Sequence, residues 1–225
     1  MNNDMKKMIS PSMMCADFLN LGNDIRDMEA CGIEYLHIDI MDGVFVPNFT
    51  LGTDYIKKLH KASSIPLDLH LMVSDVDNKL NWFEFGEGDY VAIHAEACTH
   101  IQRALALIRS KGAKAMLALN PATSLNVLDE ILPDLDGILI MTVNPGYAGQ
   151  KLIPQTLEKI ARLRNYLDSN GYGHIDIEVD GNVSFENARK MSDAGANIFV
   201  AGSSSMFMPG VPLTEGIAKL REAIN

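Results

Sequence analysis

The chain has 225 residues with a formal net charge of −10, and 47% of its residues are hydrophobic. This length and apolar content suit one α/β domain, and we expect residues 1–225 to form a single domain with a short polar lead-in at residues 1–7. The acidic charge argues against nucleic acid or an anionic membrane as partner, but not against a small phosphorylated ligand held by backbone N–H groups.

The sequence contains no apolar run near the ~20 residues that a membrane span needs, and no apolar stretch typical of a secretory signal precedes the first strand-like run. We therefore expect a cytoplasmic protein. The three cysteines, Cys15, Cys31 and Cys98, form no CxxC pair and are odd in number. They are expected to be buried free thiols in a reducing compartment.

Eight short runs rich in Ile, Val, Leu and Met have the composition of buried strands. They cover residues 8–14, 35–41, 67–73, 90–96, 114–120, 137–143, 174–180 and 197–203. Helical spacing and capping signals predict helices between them at 17–32, 99–112, 153–171 and 184–195. This alternation predicts a closed (β/α)8 TIM barrel, and an open doubly wound sheet of eight strands is the structural alternative.

Polar side chains occupy the ends of three predicted strands, which is where the active site of such a barrel lies. The pairs are His37-x-Asp39, Asp68-x-His70 and Glu178-x-Asp180. Residues two apart in a strand share one face, and buried charges must be paired or bind a metal. The pattern predicts a metal site, with Asp68 and Glu178 orienting the histidines. Two imidazoles and two carboxylates suit Zn²⁺, Mn²⁺, Fe²⁺ or Co²⁺, and ligand type alone does not choose among them.

Glycine-rich loops follow the last three predicted strands. They supply Gly146 and Gly149, then Asp180-Gly181-Asn182, then Gly202 and Ser203. Glycine frees the backbone to turn its N–H groups toward an anion, and phosphate sites recur at this position of the barrel. The three loops together therefore predict a phosphate site.

Other residues near the strand ends have two interpretations. Methionines at 14, 41, 72 and 141 either fill the core or shield a reactive intermediate from water. His94 and Glu96 are predicted to orient site residues or to be structural. His60, His100 and His174 are predicted on the surface, and Trp82 is predicted to pack a helix.

Seven motifs occur in an order that resembles the ribulose-phosphate 3-epimerase family over about residues 8 to 224. They are ISPSMM, LHIDIMDGVFVPNFTLG, PLDLHLMV, LNPAT, MTVNPGYAGQ, IEVDG and VAGSS. The resemblance implies the barrel fold and one divalent metal ion per subunit, with Zn²⁺ as first choice and Fe²⁺, Mn²⁺ or Co²⁺ as alternatives. It implies metal ligation by His37, Asp39, His70 and Asp180.

The resemblance also implies that Asp39 and Asp180 form the acid/base pair of a C3 epimerisation through an enediolate stabilised by the metal. The substrate, a sugar phosphate, is then expected to contact Ser12, His70, Met41, Met72, Met141, Gly146, Tyr147, Ala148, Gly149, Gly181, Asn182, Gly202 and Ser203. A homo-oligomer is expected because homo-oligomers are common among soluble enzymes, but no motif fixes the number of subunits.

Two positions depart from the pattern of the pentose-phosphate enzymes, which resemble this chain in HAEA and VAGSS. Ala148 and Asn182 stand where those enzymes have glycine, and such departures are similar to D-allulose-6-phosphate 3-epimerases. The first expectation is the conversion of D-ribulose 5-phosphate to D-xylulose 5-phosphate in the pentose phosphate pathway. The alternatives are the conversion of D-allulose 6-phosphate to D-fructose 6-phosphate, and a non-catalytic sugar-phosphate-binding protein.

This chain lacks the key residue of two rival enzyme classes. Metal-dependent decarboxylases and synthases of related barrels carry a D-x-K-x-x-D run, whereas the corresponding strand of this chain reads Asp68-Leu69-His70-Leu71-Met72-Val73 and contains no lysine. A Schiff-base aldolase needs a lysine at a strand's C-terminal end, and Lys114 is predicted at the start of its strand.

Overall fold

The computed structural model describes residues 5–225, so residues 1–4 of the predicted lead-in lie outside the described part. Residues 5–7 precede the first strand without regular secondary structure. Within residues 5–225, no helix is long and apolar enough to cross a bilayer.

The chain alternates strands and helices. The strands are β1 (Met8–Pro11), β2 (Leu36–Asp42), β3 (Phe49–Thr50), β4 (Leu67–Met72), β5 (Tyr90–His94), β6 (Lys114–Leu119), β7 (Gly137–Met141), β8 (Asp176–Asp180) and β9 (Ile198–Ala201). The helices are α1 (Leu21–Ala30), α2 (Thr53–Ala62), α3 (Val76–Lys79), α4 (Ile101–Ser110), α5 (Gln155–Ser169), α6 (Phe185–Asp193) and α7 (Leu213–Ile224). Short 3₁₀ turns lie at Met13–Cys15, Leu80–Trp82, Ala95–Ala97, Leu125–Leu128 and Leu132–Asp134.

The strands form one sheet in the order β1-β9-β8-β7-β6-β5-β4-β2-β3. Every neighbouring pair is parallel except β2 and β3, where Met41 pairs with Thr50 in an antiparallel bridge. A parallel bridge between Ser12 and His37 joins β1 to β2 and closes the circle. The predicted (β/α)8 barrel is therefore confirmed, and the open sheet is excluded.

Two predicted elements at the start of the chain are too long. The first strand was predicted at residues 8–14 but ends at Pro11 in the structure. The chain then continues through a 3₁₀ turn at the barrel mouth. The predicted helix 17–32 begins only at Leu21, because the side chain of Asp17 accepts from the Leu19 N–H at 3.0 Å and stabilises a turn there. Phe18 consequently lies outside the helix and is 55% exposed.

Three smaller predictions are wrong. Trp82 ends a 3₁₀ turn and is 63% exposed, so it packs no helix. The three cysteine thiols are free, but each is partly exposed instead of buried. His60 is partly buried because its Nε2 lies 3.1 Å from Oδ2 of the buried Asp89, whereas His100 and His174 are exposed as predicted.

Side chains alternate between two layers along each barrel strand. In β2, Leu36, Ile38 and Ile40 belong to the large apolar cluster that the helices also enter, whereas His37 and Asp39 alternate with them. A second apolar cluster contains no helix residues and fills the barrel interior, with Tyr90, Met116 and Leu139 among its members. The apolar interior leaves polar chemistry to the strands' C-terminal ends.

A polar plug closes the opposite, N-terminal end of the barrel. Lys114 Nζ donates to the Tyr35 hydroxyl at 3.0 Å and lies 4.6 Å from the centroid of the Tyr90 ring. The Tyr90 hydroxyl donates to Asp176, which also accepts from Asn197 Nδ2 at 2.7 Å. Lys114 is thus far from the mouth, as its position in the sequence predicts.

A single backbone bridge joins β1 to β2, and the side chain of Glu34 adds further contacts at this seam. Glu34 Oε2 accepts from the Ile9 N–H at 3.0 Å, and both Glu34 oxygens accept from Arg221 Nη1 at 2.9 and 3.0 Å. Glu34 therefore ties the first strand and the last helix to the entry of β2.

We expect Glu34→Ala to lower the free energy of unfolding by about 1–3 kcal/mol, since it leaves the buried Ile9 N–H and Arg221 Nη1 without their acceptor. Urea denaturation measures the change. Glu215→Ala is the matched control, because its pair with Lys219 is exposed and contributes little. Equal effects of the two substitutions would contradict the role of Glu34 at the seam.

Candidate active site and metal centre

Three strands bring four predicted ligands to one point at the barrel mouth. His37 and Asp39 come from β2, His70 from β4 and Asp180 from β8. The parallel register pairs Asp39 with His70 on neighbouring strands. One side-chain nitrogen or oxygen from each of the four residues lies within 4.8 Å of the others.

Asp39 is at the centre of this group. Its Oδ1 lies 3.3 Å from both His37 Nε2 and His70 Nδ1, and its Oδ2 accepts from Ser12 Oγ at 2.7 Å. Asp180 Oδ2 approaches His70 Nδ1 at 3.6 Å. Within residues 5–225, the buried His37 Nε2 has no hydrogen-bond partner. An orphaned imidazole nitrogen beside two carboxylates and a second imidazole fits a divalent cation.

The other ring nitrogen of His37, Nδ1, contacts two buried carboxyl groups. His37 Nδ1 lies 2.6 Å from Asp68 Oδ2 and 3.4 Å from Glu178 Oε1, and Ser10 Oγ donates to the same Asp68 oxygen at 2.8 Å. A carboxylate at Nδ1 keeps the proton there and turns the lone pair of Nε2 toward the centre. Asp68 and Glu178 therefore lie where the sequence predicted orienting groups.

Burial and charge give the two central carboxyl groups different proton affinities. Burial together with the nearby Asp39 carboxylate raises the pKa of Asp180 to about 6. Burial acts in the same direction on Asp39, but the imidazoles of His37 and His70 outweigh it and hold the Asp39 pKa well below its usual range. Two carboxyl groups of unequal basicity at one centre suit a proton donor and a proton acceptor.

A cavity opens above the four ligands. It is lined by every further residue predicted to contact substrate: Ser12, Met41, Met72, Met141, Gly146, Tyr147, Ala148, Gly149, Gly181, Asn182, Gly202 and Ser203. His37 and His70 are fully buried beneath it. The structure thus brings together the predicted residues, whose roles remain predictions.

The loops after β7 and β8 are tied to each other across this cavity. Asn182 Nδ2 donates to the Gln150 carbonyl at 2.9 Å, and Asn187 Nδ2 donates to Asn182 Oδ1 at 2.7 Å. Asn182 adopts the left-handed region with φ of 50°, and Gly181 has φ of 120°. The asparagine that departs from the pentose-phosphate pattern is therefore a cross-link between the two predicted phosphate loops.

The loop after β2 borders the site, and its contacts there were not predicted from the sequence. Asn48 Nδ2 donates to the Gly146 carbonyl at 2.9 Å, and Val46 packs with Met41 and Met72 in an apolar cluster at the mouth. Asp42 Oδ1 stabilises the start of this loop by accepting two backbone N–H groups. The Asp42-Gly43 pair is a turn signal, but only the barrel geometry shows what the turn reaches.

Behind His70 lies a second histidine. His70 Nε2 is 2.8 Å from Nε2 of His94, whose Nδ1 is 3.1 Å from Glu96 Oε2. Burial lowers the pKa of His94 to about 4. His94 thus lies against a predicted metal ligand and outside the cavity lining.

The chain is similar to known proteins over most of its length. The Ribulose-phosphate 3 epimerase family matches residues 8–207. The ribulose-phosphate 3-epimerase of Bacillus subtilis (strain 168) is 43% identical over 87% of this chain and 90% of its own length. The ribulose-phosphate 3-epimerase of Escherichia coli (strain K12) is 42% identical over 90% of each chain.

The chain belongs to the ribulose-phosphate 3-epimerase family. Membership confirms the resemblance seen in the sequence and the prediction of an enzyme of the isomerase class. The homo-oligomeric state and the cytoplasmic location stay predictions.

More distant solved structures share the fold of this epimerase-family chain. A tryptophan synthase alpha-subunit mutant from Pyrococcus furiosus superposes with a TM-score of 0.66 at 17% identity, covering 98% of this chain and 99% of its own. A thiamine phosphate pyrophosphorylase from the same organism gives a TM-score of 0.62 at 13% identity, covering 97% and 95%. These similarities concern the fold alone.

We expect Gly181→Ala to lower the free energy of unfolding more than Gly171→Ala does. Both glycines have positive φ, but a Cβ at Gly181 would lie 2.6 Å from Val143 Cγ2 and 2.8 Å from Val143 N, whereas a Cβ at Gly171 meets no atom within 4 Å. Backbone strain costs about 1–3 kcal/mol at either position, and the clash adds to it only at Gly181. Urea denaturation of both variants tests this, and equal losses would refute a steric requirement at Gly181.

Proposed function

We propose that this chain catalyses the metal-dependent 3-epimerisation of a ketose phosphate, with D-ribulose 5-phosphate and D-xylulose 5-phosphate as first-choice substrate and product. The observation that carries the proposal is the meeting of Asp39 and Asp180 with two imidazoles beneath a cavity lined by glycine-rich loops. The names of the relatives, ribulose-phosphate 3-epimerase at 42–43% identity, support the pentulose.

Epimerisation next to a ketone removes the proton from C3 and returns one to the opposite face of the same carbon. Asp39 and Asp180 stand on β2 and β8, which β1 and β9 separate in the barrel, so the two carboxyl groups approach the cavity from different sides. One carboxylate takes the proton and the other carboxyl group supplies it. The roles exchange when the reaction runs in reverse.

His37, Asp39, His70 and Asp180 are the residues that would hold the ion. A divalent cation supplies the positive charge that stabilises the oxygen-centred negative charge developing when the C3 proton leaves. Zn²⁺ is our first choice, and Fe²⁺, Mn²⁺ and Co²⁺ suit the same donor atoms. We propose one ion per subunit.

Other residues at the mouth are proposed to orient Asp39, exclude water and bind the phosphate. The Ser12 hydroxyl holds Asp39 Oδ2 and so leaves Oδ1 toward the two imidazoles. Met41, Met72 and Met141 are 1–5% exposed and line the cavity, where their thioethers exclude water without offering strong hydrogen bonds. The phosphate end of the substrate is proposed to lie against Gly146–Gly149, Gly181–Asn182 and Gly202–Ser203.

Asp39→Asn and Asp180→Asn are each expected to lower turnover by about 10² or more, because an amide neither accepts nor returns the C3 proton. Steady-state kinetics and metal content are measured together, so that loss of the ion is separated from loss of proton transfer. Asp168→Asn changes a carboxylate that is 51% exposed on α5 and should leave turnover unchanged. Near-normal activity of either site variant would refute the two-carboxylate scheme.

Solvent deuterium is expected at C3 of the product when the wild-type protein turns over in D₂O. The carboxyl group that returns the proton exchanges with solvent between turnovers. Mass spectrometry or NMR of the product locates the label. Product without deuterium at C3 would rule out proton exchange at that carbon.

The hexulose alternative has its own support, because Ala148 and Asn182 line the cavity at the positions where the sequence departs from the pentose-phosphate pattern. We expect kcat/KM to be higher for ribulose 5-phosphate than for allulose 6-phosphate. The reverse preference would replace the first-choice substrate and leave the mechanism intact. A non-catalytic sugar-phosphate-binding protein instead predicts no stoichiometric metal, which elemental analysis of the purified protein decides.

A further inference from the structure

His94 is fully buried at the end of β5 and contacts the proposed metal ligand His70. The two Nε2 atoms lie 2.8 Å apart, which is hydrogen-bond distance. Two imidazole nitrogens at this separation share one proton, so one ring donates and the other accepts. The question is which ring donates.

The position of His70 Nδ1 answers it. This atom faces Asp39 Oδ1 at 3.3 Å and Asp180 Oδ2 at 3.6 Å, so it is the nitrogen that a bound cation would use. A ligating nitrogen carries a lone pair and no proton, which leaves the proton of His70 on Nε2. His70 therefore donates, and His94 Nε2 accepts.

The other side of His94 has the matching polarity. Since His94 Nε2 accepts, the proton of this ring is on Nδ1, which lies 3.1 Å from Glu96 Oε2. A carboxylate only accepts, so Glu96 favours this tautomer and no other.

Glu96 is itself fixed by the loop after β6. Its Oε1 accepts from the Asn120 N–H at 2.9 Å and from the Thr123 hydroxyl. The ring of Phe45 lies against His94 with a centroid distance of 4.7 Å. The chain from His70 through His94 to Glu96 thus ends on backbone.

We propose that His94 and Glu96 are positioning residues, whose directed hydrogen bonds hold His70 in the tautomer and orientation that bind the metal. The proposal rests on the proposed metal role of His70. It also gives this ligand the same kind of support that Asp68 gives His37, with a histidine inserted between ligand and carboxylate.

The alternative hypothesis is that His94 only fills space in the core. Two substitutions distinguish a packing role from a positioning role. His94→Leu fills much of the volume but cannot accept a hydrogen bond, whereas the amide oxygen of His94→Gln can accept from His70 Nε2. We expect His94→Leu to weaken Zn²⁺ affinity by about 10–100-fold and His94→Gln to recover most of that loss. Competition with a chromophoric chelator, using the full chain, measures the affinities.

His60→Leu is the matched control, because it removes a histidine–carboxylate contact with Asp89 that is remote from the mouth. Its Zn²⁺ affinity should equal that of the wild type. A folded His94→Leu protein with wild-type affinity would overturn the proposal, and so would a folded His94→Gln protein as weak as His94→Leu. A wild-type protein that binds no divalent ion would overturn the proposed function instead.

A second measurement needs no variant. Ring ¹⁵N NMR of the Zn²⁺-loaded wild type should show the proton of His94 on Nδ1 and that of His70 on Nε2. A His94 ring that carries its proton on Nε2 would overturn the proposal even if the substitutions unfold the protein.

Discussion

The Asp39 carboxylate is the group on which the rest of the mouth depends. It is 4% exposed, accepts from Ser12 and lies within 3.3 Å of a nitrogen of both His37 and His70. A buried charge of this kind persists only when several partners surround it, so three strands must converge there in fixed register. The same convergence brings Asp180 close enough for the Asp39 carboxylate to raise the pKa of Asp180.

The sequence predicted the barrel and the converging residues because both follow from period-two patterning. Alternation in β2, β4 and β8 places apolar side chains outward and His37, His70 and Asp180 inward, and this parity does not require knowledge of the neighbours. Loop residues have no such period. The contact of Asn48 with Gly146 and the cross-link made by Asn182 join segments far apart in the chain, and no local pattern indicates them.

Errors of boundary have the same cause. β1 ends at Pro11, where the chain reaches the barrel mouth and turns. The apolar run in the sequence continues through Met13 and Met14, so composition does not mark this end. Trp82 is exposed because the segment after β4 makes one short helix and a 3₁₀ turn, too little surface to bury an indole. Composition alone does not distinguish these cases from packed helices.

The single bridge between Ser12 and His37 has a consequence for folding order. The barrel closes only when β1, which pairs with β9 near residue 198, also reaches β2, so closure requires contacts between the two ends of the chain. Such distant contacts form late because loop closure carries an entropic cost. His37 and Ser12 also belong to the proposed site, so closing the barrel brings two residues of that site together.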